Sequence, residues 1–330
     1  MFQISHAQGI NDPDIVEPVQ NLCNMDWISH RRSNRSVVDD LFTFQSLALQ
    51  MCSTCNHVST SVQTMNILPL PVKNQDPCIP LDDLLSEFTT QESLSGRDGL
   101  HCDYCQAAAD RVSPPQTPAA GVQTRSAAMR ATQSLTPATS LSPIQAQPDS
   151  TVHYQAANFL ASTPLHPGVT KTSKSTPTVL SHQPAKVITN GLRQSFLRRL
   201  PECLTIQLLR FRFDPFAKKI KKIHTPVAIP LSNLDLKPIT YDASVDRDDM
   251  TGLCKTHQYA LYALSIHIGG DSTHSGHYIA YCKGKTGRWY KYDDEQVIPV
   301  QNIEVELKKP QVEENSYLLF YKKQHNAAEK

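Results

Sequence analysis

The sequence predicts an α+β protein whose core is mostly antiparallel β-sheet. Three observations carry this. Short runs rich in β-branched and aromatic residues recur after Leu41 and again after Gly191, bounded by Gly, Pro, Asn or Asp. One segment, Leu81–Leu94, places its leucines at helical spacing. Between these regions lies a block rich in Pro, Ser, Thr, Gln and Ala that follows neither period.

Residues 1–40 are mixed and polar, without strong periodicity, and read as an N-terminal remnant. From Leu41, the stretch LFTFQSLALQMCSTCNHVSTSVQTMNILPLPV alternates apolar and polar residues, which predicts strands around a CxxC knuckle. In LDDLLSEFTTQESL the residues Leu81, Leu84, Leu85 and Phe88 share one helical face. Asp82 and Asp83 fall in its first turn, where they suit the helix dipole. A second knuckle, HCDYC, ends this unit at residue 105. Residues 106–190 carry too little apolar surface to offset their ordering entropy, so they are expected to form a disordered insertion. Order resumes at 191 and runs to 323, before a short tail. Cys203–Phe213 reads as a buried strand, KKIKKI as a basic turn and VAIP as a short strand. HQYALYALSIHIGG reads as a strand entering a glycine turn. HYIAYCKG and GRWYKYDDEQVIPV read as a hairpin pair, and SYLLFYKK as a last strand.

Bulk properties exclude several classes. The net charge is +1 and the pI about 7.6, which argues for neither nucleic acid nor an anionic surface as partner. No apolar run approaches the roughly 20 residues of a membrane helix. The first residues lack the basic and apolar regions of a secretion signal. The nine cysteines therefore point to a reducing compartment, where paired cysteines favour metal over disulfides.

Two of those pairs share one spacing. Cys52-x-x-Cys55 and Cys102-x-x-Cys105 are separated by 46 residues. A CxxC turn aims two thiolates at one ion, and two such turns complete a structural four-cysteine zinc site. The competing reading is two unrelated pairs of buried or redox cysteines. His57 and His101 stand beside the knuckles and could replace a thiol.

His277 opens the strand HYIAYC behind Gly276, and Asp293-Asp294 follows in the next strand. A hairpin would bring Asp293 to His277 as the carboxylate that orients a base. In that arrangement Nδ1 is held by the acid and Nε2 is left free to deprotonate a thiol or hydroxyl. The plain alternative is a hairpin that happens to contain a histidine. His267 and His274 carry no expectation beyond core or surface.

Together these pieces resemble the ubiquitin-specific proteases. The matching motifs run in family order: CSTC with NILPLPV, then LDDLLSEF with CDYC, LPECLTIQLLRF, the KKIKKI turn, YALYALSIHIGG with HSGHYIAYC, RWYKYDDEQV and SYLLFY. The resemblance covers roughly residues 41–105 and 191–323. It implies papain-like deubiquitinase fingers and palm, with a zinc ribbon in the fingers. It implies thiol-dependent hydrolysis of the isopeptide bond after the C-terminal glycine of ubiquitin. His277 would be the general base, Asp293 its orienter, and Asp294 an acid acting near the oxyanion. Ubiquitin and ubiquitinated proteins would be the partners. Details such as THSGHY and LPECL are similar to one mitochondrial member, although no segment of this chain supports the mitochondrial outer membrane. An intracellular, cytoplasmic setting is the expectation.

One departure stands out. The family's cysteine box, resembling GLxNxGNTCYxN, has no counterpart here, and the helical thumb is largely absent. Cys23 is the one cysteine before the fingers, but it lacks the Gly-Asn-Thr lead-in. Only 28 residues separate it from Cys52. A noncatalytic ubiquitin-binding module, or a truncated isoform, is therefore the alternative function. A zinc-ribbon scaffold unrelated to ubiquitin is a third. Cys203 and Cys282 are expected in strand cores, and Cys78 and Cys254 near turns without a role.

Overall fold

The structure is a computed structural model that describes residues 13–74, 78–112, 186–241, 256–271 and 275–325. Most of the proline-rich block, together with Cys254 and His274, lies outside the described residues.

The chain enters through α1 (Val16–Ser33) and α2 (Val37–Phe42). Sequence periodicity did not reveal α1, because it buries only Val19 and Cys23, one turn apart. Pro18 falls in its first turn, where a missing N–H costs nothing. Val19 and Cys23 of the helix, with Ile15 just before it, pack against Leu47, Leu49 and Val58. Asp26 holds it there by accepting from Gln45 Nε2 and Thr64 Oγ1, each at 2.9 Å. Ser36 caps α2 by accepting the Asp39 amide.

The fingers follow. Strands β1 (Phe44–Cys52) and β2 (Val58–Met65) pair antiparallel around the first knuckle. The chain then enters the palm core with β3 (Leu68–Pro71), β4 (Ile79–Pro80) and α3 (Leu81–Phe88) before returning to the fingers. Helix α3 buries Leu81, Leu84 and Leu85 as its spacing predicts, but ends at Phe88 rather than Leu94. The hydroxyls of Thr89 and Thr90 both donate to the Ser86 carbonyl, and β-branched residues do not favour continuing the turn. Residues Glu92–Leu94 instead form β5, which pairs with a later strand. β6 (Leu100–His101), α4 (Asp103–Val112), β7 (Ile188–Thr189) and β8 (Gly191–Arg198) complete the unit. The finger sheet has the order β2-β1-β8-β5, and β6 pairs with β7. Helix α4 and strand β7 thus lie within the span 106–190 that the sequence assigned to an insertion.

The palm contains β9 (Cys203–Leu209), β10 (Phe211–Asp214), β11 (Lys219–Lys222), β12 (Val227–Ala228) and β13 (Leu234–Asp235). It continues with β14 (Gln258–Ile268), β15 (His277–Lys283), β16 (Trp289–Asp293) and β17 (Gln296–Val300). Helices α5 (Ile303–Leu307) and α6 (Pro310–Glu313) precede β18 (Ser316–Lys323). The main sheet runs β17-β16-β15-β14-β18-β9-β3, with β13 on β14. Every pairing in it is antiparallel except β3 with β9, so the sheet is mixed at one edge. The expected strand Cys203–Phe213 is two strands, because Arg210 turns inward between them. Leu204, Ile206 and Leu208 point into the core without solvent exposure. Each such side chain contributes about 1.5–3 kcal/mol.

Candidate active site and metal centre

The first knuckle is built by the turn between β1 and β2. The Cys52 amide donates to the His57 carbonyl and the Asn56 amide to the Cys52 carbonyl, each at 2.9 Å. Asn56 takes the left-handed conformation (φ 54°) that Asn tolerates better than most residues. The Thr54 amide donates to Cys52 Sγ at 3.4 Å. In the second knuckle Cys102 precedes α4 and Cys105 sits in its first turn, where the helix dipole favours negative sulfur.

All four sulfurs lie within 4.8 Å of one another. Cys52 and Cys105 are 3.8 Å apart, and Cys55 and Cys102 3.6 Å. A disulfide would need about 2.05 Å. Four sulfurs about 2.3 Å from a central zinc lie about 3.8 Å from each other. The spacing is therefore that of a tetrahedral metal cage. Burial opposes ionisation of Cys52, but hydrogen bonds from Thr189 and backbone amides outweigh it and bring the thiol down to about 6. Burial first, then the neighbouring thiols, push Cys105 upward. His57 is buried and stacks on Tyr104 at 5.9 Å, while His101 pairs with Asp103; neither belongs to the cage.

The second cluster sits where β15 begins and β16 ends in the palm sheet. His277 is the first residue of β15 and pairs in register with Ile268. The β15–β16 register aligns Ala280 with Tyr292. His277, Ile279 and Asp293 therefore share one face of the sheet. Nε2 of His277 lies 2.5 Å from Asp293 Oδ1. Lys291 Nζ holds the second oxygen of that carboxylate at 3.0 Å. Nδ1 points away, 3.9 Å from Asp294 Oδ2. The hairpin brings His277 to Asp293 as expected from the spacing, but with the nitrogens exchanged: Asp293 meets Nε2, and Nδ1 is left open.

The electrostatics agree with a charged couple. The hydrogen bond to Asp293, and then the Asp294 charge, raise the His277 pKa above its ordinary value. The bond from His277, and that from Lys291, hold Asp293 below the usual carboxylate range. Asp294 adopts φ 50° in the turn to β17, and its side chain is 80% exposed. Its carboxylate faces Nδ1, where it favours the imidazolium.

Cys23 has no part in this site. It is fully buried on α1, and burial pushes its thiol up. Cys203 and Cys282 are half-buried in strands, and Cys78 is exposed. Among the described residues, no thiol is hydrogen-bonded to His277. Sequence reasoning missed Lys291, the cation that clamps Asp293. Its signal was available: in strand alternation it lies two residues before Asp293, on the same face.

A four-cysteine cage in the fingers, together with a His–Asp couple on a mostly antiparallel palm, defines a papain-like hydrolase architecture. The ubiquitin carboxyl-terminal hydrolase family model matches residues 6–321, and the chain belongs to that family. The finding bears on the family and singles out no mitochondrial member. A chain of the yeast SAGA DUB module with an Sgf73 mutant superimposes with a TM-score of 0.53 at 18% identity, covering 93% of this chain and 47% of that one. The SAGA Ubp8/Sgf11/Sus1/Sgf73 DUB module bound to ubiquitin aldehyde gives 0.52 at 17% identity, covering 94% and 49%. The chain thus spans about half the length of the solved chains it matches.

Proposed function

We propose that this chain is the base-bearing part of a cysteine-type deubiquitinase. The single observation that carries the reading is the His277–Asp293 couple, with Nε2 tied at 2.5 Å and Nδ1 open. Nδ1 takes the proton of an incoming thiol, and the thiolate attacks the carbonyl carbon of the isopeptide bond after the C-terminal glycine of ubiquitin. The imidazolium, stabilised by Asp293 and Asp294, returns its proton to the leaving lysine amine as the bond breaks. Nδ1 then deprotonates the water that cleaves the thioester and frees the thiol. Ubiquitin as ligand is supported by the family and by the ubiquitin aldehyde bound to a similar solved module.

Zinc is the ion whose geometry fits Cys52, Cys55, Cys102 and Cys105. With four protein ligands it serves structure, joining two knuckles that otherwise share a small apolar cluster. The clustered free thiols also support an intracellular setting.

A second reading is favoured by one observation: no described thiol reaches His277. On that reading the chain binds ubiquitin without cleaving it. The test is to label the endogenous full-length product with ubiquitin bearing a thiol-reactive C-terminus and map the adduct. An adduct on a cysteine outside these residues supports hydrolysis. Binding without an adduct supports the inert module, and no binding rejects both.

A further inference from the structure

Lys222 closes β11 and is only 2% exposed. Its ammonium meets oxygen atoms of the main chain and one amide. Nζ donates to the carbonyls of His267 (2.5 Å) and Gly269 (3.2 Å) and to Asn315 Oδ1 (2.7 Å). Its own backbone N–H donates to Asp271 Oδ1 at 3.0 Å. Three of these four acceptor residues, His267, Gly269 and Asp271, lie at the end of β14 and on the segment that leaves it toward His277.

A second buried cation supports the first. Arg210 is 1% exposed and donates to the carbonyls of Ile223, Thr225, Glu313 and Ser316. It thereby fixes the chain just after Lys222 and on either side of Asn315. Among the described residues neither cation forms an ion pair with a carboxylate. A cation that bonds to carbonyls fixes backbone position, and it tolerates burial only while those acceptors stay in place.

The same segment is also held next to the base. The ring of His267 is buried against Tyr278 (4.8 Å) and Phe211 (5.5 Å). A Cβ on Gly276 would lie 2.1 Å from His267 Nε2. Gly276 is therefore seated directly on that ring, one residue before His277. Lys222 holds the main chain of His267, and His267 seats Gly276.

We propose that Lys222 is a positioning residue for His277: by bonding the carbonyls of His267 and Gly269, it fixes the segment that sets the base against Asp293. The inference rests on the reading of His277 as base, but its test does not need turnover. Two variants serve, Lys222→Met, which keeps the apolar stem, and Asp271→Ala, which removes only an exposed acceptor. The readout is the NMR titration of His277, whose other charged neighbours are Asp293, Asp294 and Lys291 on β16 and its turn. Lys222→Met should move the His277 midpoint down toward the ordinary histidine range. It should also speed amide exchange at Gly269 and Gly276 by about tenfold, while core amides such as Leu264 keep their protection. Asp271→Ala should give a smaller shift of the same sign. An unchanged midpoint in folded Lys222→Met overturns the proposal. If that variant does not fold, an unchanged midpoint in Asp271→Ala overturns it. Failure of the parent chain to bind ubiquitin would reject the functional reading and leave the titration result standing.

Discussion

Nε2 of His277 meets Oδ1 of Asp293 at 2.5 Å, while Nδ1 of the same ring is turned toward solvent and Asp294. The couple is built by two strand ends, so it survives in a chain where no described thiol adjoins it. Its charge state makes a first prediction. The raised His277 pKa stabilises the fold fully below the unfolded midpoint of about 6.5, and that stabilisation is lost as pH rises through the folded midpoint. The lowered Asp293 pKa stabilises above about 3.9, and that part is lost as pH falls through the folded value. Asp293→Asn should bring the His277 midpoint back toward 6.5, read from its Cε1 proton by NMR.

The finger cage makes a second. Chelation, or the pair Cys52→Ser and Cys55→Ser, should release one zinc per chain and cost the fingers their fold. A metal-bound structural site supplies folding energy directly. Amides of β1 and β2 near the knuckle should lose protection, while β14 and β18 keep theirs. Unchanged melting behaviour after chelation would reject the cage.

Excision of residues 113–184 should leave folding and ubiquitin binding intact. The chain on either side of that block is already tied together. Gln106 Oε1 accepts the Val187 amide at 2.7 Å, and Leu100 pairs with Thr189. A short Gly-Ser linker should give a melting temperature within a few degrees of the parent. A collapse in stability would show that the block contributes to the core.

Gly276→Ala should destabilise by about 1–3 kcal/mol, because the new methyl meets the His267 ring in a packed site. Removing the ring first should relieve it. In a His267→Ala background the same change should cost much less, which a double-mutant cycle in denaturant measures.

The elements that the sequence made legible are those where one local pattern decides the outcome. Leu81, Leu84 and Leu85 were readable as one helix face, and the alternation of Leu204, Ile206 and Leu208 as a buried strand. Helix α1 was not, because two buried residues in an 18-residue helix leave almost no periodic signal. The break at Arg210 was hidden for a different reason. A cation satisfied wholly by distant carbonyls has no partner visible in nearby sequence. The pairing of His277 with Asp293 was readable from hairpin spacing, but the choice of ring nitrogen depends on the side-chain rotamer, which no sequence pattern encodes.

The most direct test of the account is to mix this chain, folded and zinc-loaded, with ubiquitin bearing a thiol-reactive C-terminus. Binding and adduct are then measured on the same sample. The account predicts that ubiquitin binds and that none of the nine cysteines is labelled. An adduct on any of them, Cys23 included, would show that a nucleophile does reach His277 within this chain. Failure to bind ubiquitin at all would contradict the functional reading itself.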